Sequence, residues 1–113
     1  MSQITTHVLD TARGCAATGI AIALCQRVDK EWQRLGGGHT DDDGRVSDLC
    51  PQDMVLEAGT YRMHFATGAY FHSLGVPVFY PWAEVVFCID GDGQHYHIPL
   101  LLADYGYSTY RGT

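Results

Sequence analysis

Short segments that alternate apolar with polar or small residues run along the whole chain, and glycine, proline or an acidic glycine turn cuts each one off. A period of two puts one face of a strand on a core and the other in solvent, whereas a helix needs apolar residues spaced three and four apart. Ile4 to Asp10 reads as a first strand, stopped by Arg13-Gly14. Ile20, Ile22 and Leu24 alternate with Ala21, Ala23 and Cys25, and that strand continues through Val28. Glu31 to Leu35 fits a third strand closed by Gly36-Gly37-Gly38, and Asp41-Asp42-Asp43-Gly44 is a turn with Arg45 directly behind it. Thr60 to Ala66 alternates between Gly59 and Gly68.

The segment 69–74 is the one helix candidate, with Gly75 as its stop, and Pro77 and Pro81 mark an irregular connection after it. Glu84 to Ile89 is β-branched and aromatic, and Asp90-Gly91-Asp92-Gly93 predicts a hairpin into His95 to Leu102. A turn near Asp104 leads to a last strand from Tyr105 to Arg111. About eight short strands and one short helix predict an all-β, two-sheet sandwich.

The length, 113 residues, predicts a single domain over residues 1–113. Seven Lys and Arg against a net charge of −6, with no basic run, argue against a nucleic-acid partner. No apolar run is long enough to cross a membrane, and the first residues carry no charged stretch leading into an apolar one. Cys15, Cys25, Cys50 and Cys88 match no compact disulfide framework and form no CxxC pair, so free thiols and a cytoplasmic location are expected. Cys25 and Cys88 lie in apolar strand patterns and are expected to be buried.

The polar residues admit several chemistries, each weak alone. His95 and His97 lie two apart on a strand and share a face, but zinc needs three or four ligands and no partner pair is in view, so no metal site is expected. The two acidic glycine turns lack the carboxylate spacing of a calcium loop. His7 shares a face with Thr5 and Leu9, and Arg45 by default is a solvated charge. No Gly-X-Ser-X-Gly elbow or reactive-cysteine signature is present. Composition and spacing stop at a β-sandwich without a named activity.

A resemblance carries the reading further. His7 through Gly14 resembles the first strand of the transthyretin family, while 83–87, 100–102 and 105–109 resemble its last three strands. Within that superfamily the chain is most similar to the transthyretin-related 5-hydroxyisourate hydrolases. These carry histidine in the first strand, arginine after the Asp-Gly turn, histidine in the penultimate strand and a Tyr-Arg-Gly-Ser ending. Here those positions are His7, Arg45, His97 and Tyr110-Arg111-Gly112-Thr113, with Thr113 in place of the usual serine.

The resemblance implies a transthyretin-like (prealbumin-like) fold of two four-stranded sheets. It also implies a homotetramer of paired dimers with sites where dimers meet. The implied reaction is hydrolysis of the small molecule 5-hydroxyisourate to 2-oxo-4-hydroxy-4-carboxy-5-ureidoimidazoline in urate breakdown, without cofactor. His7 and His97 would activate water and return a proton, with His7 as base, because histidine titrates near neutrality. Arg45 would face the substrate's polar edge and disfavour imidazolium beside it. Tyr110, Arg111 and Thr113 would bind and orient substrate.

The competing expectation is a carrier of a small aromatic ligand on the same fold, in which the tail is an ordinary strand end; hormone carriers lack histidine at the positions of His7 and His97. A β-sandwich assembly module, working through an exposed edge or apolar patch, is a third. His39, His64 and His72 are expected to be surface or structural residues.

Overall fold

The structure, a computed structural model, describes residues 2–112. Among the described residues, nine strands and one helix follow in the order β1 (Ile4–Asp10), β2 (Cys15–Ala16), β3 (Ala21–Val28), β4 (Glu31–His39), β5 (Arg45–Val46), β6 (Gly59–Phe65), α1 (Thr67–Ser73), β7 (Ala83–Ile89), β8 (Tyr96–Ala103) and β9 (Gly106–Thr109). They make the expected two-sheet sandwich with one short helix. The first sheet has the path β2-β1-β8-β9, with β5 also on β1, and the second runs β4-β3-β6-β7. The two-residue strands β2 and β5 share one edge of β1: Leu9 and Asp10 face β2, while Thr6 and His7 face β5. The strand β1 runs parallel to β8 over its whole length, and every other pairing is antiparallel.

Alternation sets the core. Ile4 and Val8 from β1, Leu100 and Leu102 from β8, and Leu24, Tyr61, Met63 and Phe65 from the second sheet are almost entirely shielded from solvent. Each such side chain contributes about 1.5–3 kcal/mol by leaving water. The helix packs Phe71 into this core and ends as expected at Gly75, whose φ of 72° is open to glycine at little cost. Val76 N–H bonds the Phe71 carbonyl at 3.2 Å and Gly75 N–H that of His72 at 3.0 Å, the paired bonds of a Schellman stop.

A buried carboxylate fastens the helix to the first sheet. Asp10, fully buried, accepts from the Tyr70 hydroxyl at 2.7 Å and from Arg13, which also clasps Asp104 at 2.8 Å. Burial alone would raise the Asp10 pKa, but the Tyr70 and Arg13 bonds hold it below the ordinary carboxylate range.

Four expectations need correction. First, Gly36-Gly37-Gly38 do not end the third strand; β4 runs through them to His39. A Cβ on Gly36 would collide with the Leu49 carbonyl, one on Gly37 with the Ile22 carbonyl, and one on Gly38 would crowd Val46. The bare strand is where the chain from Val46 to Cys50 lies against the second sheet.

Second, 90–93 is not a hairpin. The strands β7 and β8 belong to different sheets, so the left-handed Gly91 and Gly93 (φ 79° and 81°) shape an arch across the sandwich. Third, Cys88 is exposed on the outer face of β7; the buried pair is Cys25 and Cys50, and all four thiols are unpaired. Fourth, the last strand is shorter than expected and stops at Thr109. The short pairings β2 and β5 had no counterpart in the expected strands, while the other strands and the helix agree with expectation to within a few residues at their ends.

Candidate functional site

The parallel pairing of β1 with β8 and the antiparallel pairing of β1 with β5 bring three separate stretches of sequence together. Thr5 stands opposite His97, and His7 opposite both Pro99 and Arg45. The buried face of β1 takes Ile4, Thr6 and Val8 inward, so Thr5, His7 and Leu9 leave by the outer face. The side chains of Thr5, Arg45, His95 and His97 line a cavity of about 260 Å³ on this face.

Arg45 owes its place to Asp41. That carboxylate accepts from the backbone N–H of Arg45 and of Asp43, both at 2.9 Å, while Gly44 turns through φ 76°. The Arg45 N–H is the first cause that holds the Asp41 pKa below its ordinary value. The same turn fixes His7, whose Nε2 lies 2.8 Å from the Asp43 carbonyl. A carbonyl can only accept, so Nε2 carries the proton and Nδ1 keeps its lone pair.

His97 is held differently. Its Nδ1 lies 2.8 Å from the Thr5 hydroxyl, which lies 2.9 Å from Nε2 of His95. The two imidazoles stack at 6.4 Å between centroids. Burial first, then the Arg45 guanidinium, His95 and His7, push the His97 pKa below the ordinary histidine value, which keeps its ring neutral at pH 7. The arrangement supplies one ring with a free lone pair, a neutral ring bonded at one nitrogen, and a cation. Those are the parts needed to activate water, return a proton and hold developing negative charge.

Not every candidate gathers here. The backbone N–H of Gly112 bonds the His97 carbonyl at 2.8 Å, which lays the tail along β8. A Cβ on Gly112 would press into the His97 ring, so glycine is required there. Tyr110 and Arg111 line a second cleft of about 230 Å³ with Val86, Phe87, Tyr96 and Ile98, between the edges of the two sheets. Arg111 sits over the Tyr96 ring at 4.7 Å and donates to Gln94 at 2.9 Å. Thr113 lies outside the described residues.

The sequence reading missed Thr5 as a working residue; its position on the His7 face was visible, but its pairing with His97 depends on a parallel register that alternation does not encode. Among the described residues, no three His, Cys, Asp or Glu side chains come together in a way that could hold a metal.

Of the other histidines, His64 stacks on Trp82 at 6.1 Å and His39 closes β4, both on the second sheet, while His72 lies in the helix. The outer face of the second sheet also carries Trp32 between the guanidinium groups of Arg27 and Arg62, at 5.4 and 4.7 Å from the ring centroid.

The chain also matches known proteins in sequence and fold. The model of the HIUase/Transthyretin family matches residues 4–112. A 5-hydroxyisourate hydrolase of Salmonella dublin is 44% identical over 97% of this chain and 80% of its own length. Among solved structures, transthyretin from Sparus aurata superposes with a TM-score of 0.91 at 31% identity, covering 99% of this chain and 97% of its own. The 5-hydroxyisourate hydrolase of Klebsiella pneumoniae superposes with a TM-score of 0.86 at 33% identity, covering both chains fully.

Proposed function

The chain belongs to the HIUase/Transthyretin family, and we propose that within it this protein is a hydrolase that opens the ring of 5-hydroxyisourate. The backbone does not separate this reading from a carrier, because a transthyretin and a hydrolase both superpose closely. The observation that favours chemistry is the grouping of two oriented imidazoles and a guanidinium on one sheet face. The relatives named 5-hydroxyisourate hydrolase at 41–44% identity support it from the sequence side.

In the proposed reaction, His7 takes a proton from water at Nδ1 while the water oxygen attacks the cyclic amide carbonyl. Arg45 faces the oxygen that becomes negative. The C–N bond breaks, its electrons stay with nitrogen, and His97 supplies that nitrogen's proton from Nε2. The product is 2-oxo-4-hydroxy-4-carboxy-5-ureidoimidazoline, a step of urate breakdown, and the chain works as one domain over residues 1–113. A cytoplasmic setting fits four unpaired cysteines.

We propose a tetramer as well. The strands β7 and β9 each end a sheet, and exposed Val86, Tyr107 and Tyr110 stand on or beside them. In such an assembly Tyr110, Arg111 and Thr113 would complete the substrate pocket.

The test generates 5-hydroxyisourate in situ and follows its absorbance. Decay at the spontaneous rate with purified protein present overturns the hydrolase reading, and tight binding of an aromatic hormone without turnover would install the carrier in its place. Light scattering in solution checks the tetramer.

A further inference from the structure

The hydroxyl of Thr5 touches two histidines at once, and its single proton can serve only one of them. Whichever ring receives that proton presents a lone pair, and the other must donate an N–H to the Thr5 oxygen. Three groups therefore form a chain with one direction at a time: His95 Nε2–H to Thr5 Oγ to His97 Nδ1, or the reverse. Thr5 is buried and His95 is exposed, so the chain leads from the cavity wall to open solvent.

We propose that Thr5 and His95 form a proton relay that keeps His97 in its Nε2–H form and reloads it during turnover, a role that rests on the hydrolase reading above. In the resting direction His95 donates to Thr5 and Thr5 donates to His97, so Nε2 of His97 holds a proton for the substrate's leaving nitrogen. As that nitrogen takes the Nε2 proton, the Thr5 hydroxyl proton moves to His97 Nδ1. The His95 Nε2 proton then moves to Thr5, and bulk water delivers one proton to His95 Nδ1.

Every ring is neutral at this point, but the chain is reversed and His97 Nε2 is bare. A solvent proton then reaches His97 Nε2, His97 Nδ1 returns its proton to Thr5, Thr5 passes one to His95 Nε2, and His95 Nδ1 releases one, which restores the resting direction. The proton drawn from solvent balances the one that His7 takes from the attacking water and later releases. No full imidazolium has to form at His97, where Arg45 and His7 already oppose one. The groups facing His97 are Arg45, His7, His95 and Thr5; the carboxylate of Asp41 is engaged with backbone N–H groups two strands away. Thr5 and His95 are thus positioning residues that act through His97.

Two measurements on the full chain test this. The first needs no substrate: ring nitrogen NMR of the protein reads the tautomers directly. The expected spectrum has His97 protonated at Nε2 and bare at Nδ1 and His95 protonated at Nε2, and Thr5→Val should change the tautomer populations of both rings. A bare Nε2 in the parent protein, or no change on Thr5→Val, overturns the relay.

The second is kinetic. Thr5→Val, which keeps the shape and removes the hydroxyl, should lower kcat about tenfold with little change in KM. Thr5→Ser should recover most of that loss. A proton inventory in mixed light and heavy water should be bowed for the parent and straight for Thr5→Val. Unchanged kcat and isotope profile in Thr5→Val, while His7→Ala is inactive, overturns the relay and leaves the hydrolase reading standing. A parent protein without turnover overturns the hydrolase reading instead.

Discussion

The six histidines divide evenly, and the division is instructive. His7, His95 and His97 belong to the first sheet or its entrance, and each has a ring nitrogen bonded to a named partner: a carbonyl for His7, the Thr5 hydroxyl for the other two. His39, His64 and His72 lie on the second sheet and helix. Among the described residues none of these makes a side-chain hydrogen bond, and His64 settles for stacking on Trp82. Both sets obey the same strand alternation or lie beside it. What separates them is whether a ring nitrogen is tied to a fixed neighbour, which holds the ring in place and couples its proton to that partner, as acid–base chemistry requires.

The strongest way to break this comparison is to delete rings from each set. Alanine at His7, Arg45 or His97 should lower kcat/KM for 5-hydroxyisourate by about a hundredfold or more. His64→Ala should stay within about twofold of the parent. Equal losses in both sets, read by the absorbance assay, would mean that the histidines matter for folding alone.

The next effect is on stability and comes from the far sheet. Gly36→Ala puts a methyl into the Leu49 carbonyl, and denaturant unfolding should register a loss of about 3 kcal/mol. Gly14→Ala, in open space at φ 70°, should cost about 1–2 kcal/mol from backbone strain only.

A smaller effect appears with pH. His97 has a lowered pKa, so its ring should stay neutral through neutrality and its own part in the loss of kcat/KM should set in only below the ordinary histidine range. Arg45→Gln removes one of the charges that lower it, and the acid limb should move to higher pH. For stability, the unfolded His97 binds more protons than the folded one between the folded pKa and its ordinary value near 6.5, so this group's contribution weakens as pH drops through that window. Urea midpoints at pH 7 and pH 5.5 check the sign.

The smallest effect belongs to the ornament of the second sheet. Arg62 touches Trp32 and lies 3.5 Å from a part-exposed Glu84, so Arg62→Ala should cost under about 1 kcal/mol and leave turnover alone.

Strand alternation made most of the sandwich legible, because inward positions such as Ile4, Val8, Leu24 and Met63 are written with a period of two. The misreadings have one physical source each. A left-handed glycine serves an arch as well as a hairpin, so 90–93 did not reveal that β7 and β8 part company. Gly36-Gly37-Gly38 looked like a break because glycine disfavours strands in general, and only the chain lying against it supplies the compensation. His7, Arg45 and His97 were reached through family resemblance. Their convergence, and the part of Thr5, depend on which strand lies beside β1, a long-range choice that local pattern leaves open.

The bare glycine track on β4 has a consequence for how this site could change. It seats Val46 and Leu49, and Val46 follows Arg45 directly. The second sheet thus acts as a shim beneath the strand that aims the guanidinium. A methyl added at Gly38 would press on Val46, the next residue along from Arg45, without altering any polar residue. The placement of Arg45 is therefore open to change from the opposite layer of the sandwich, with the histidines left untouched.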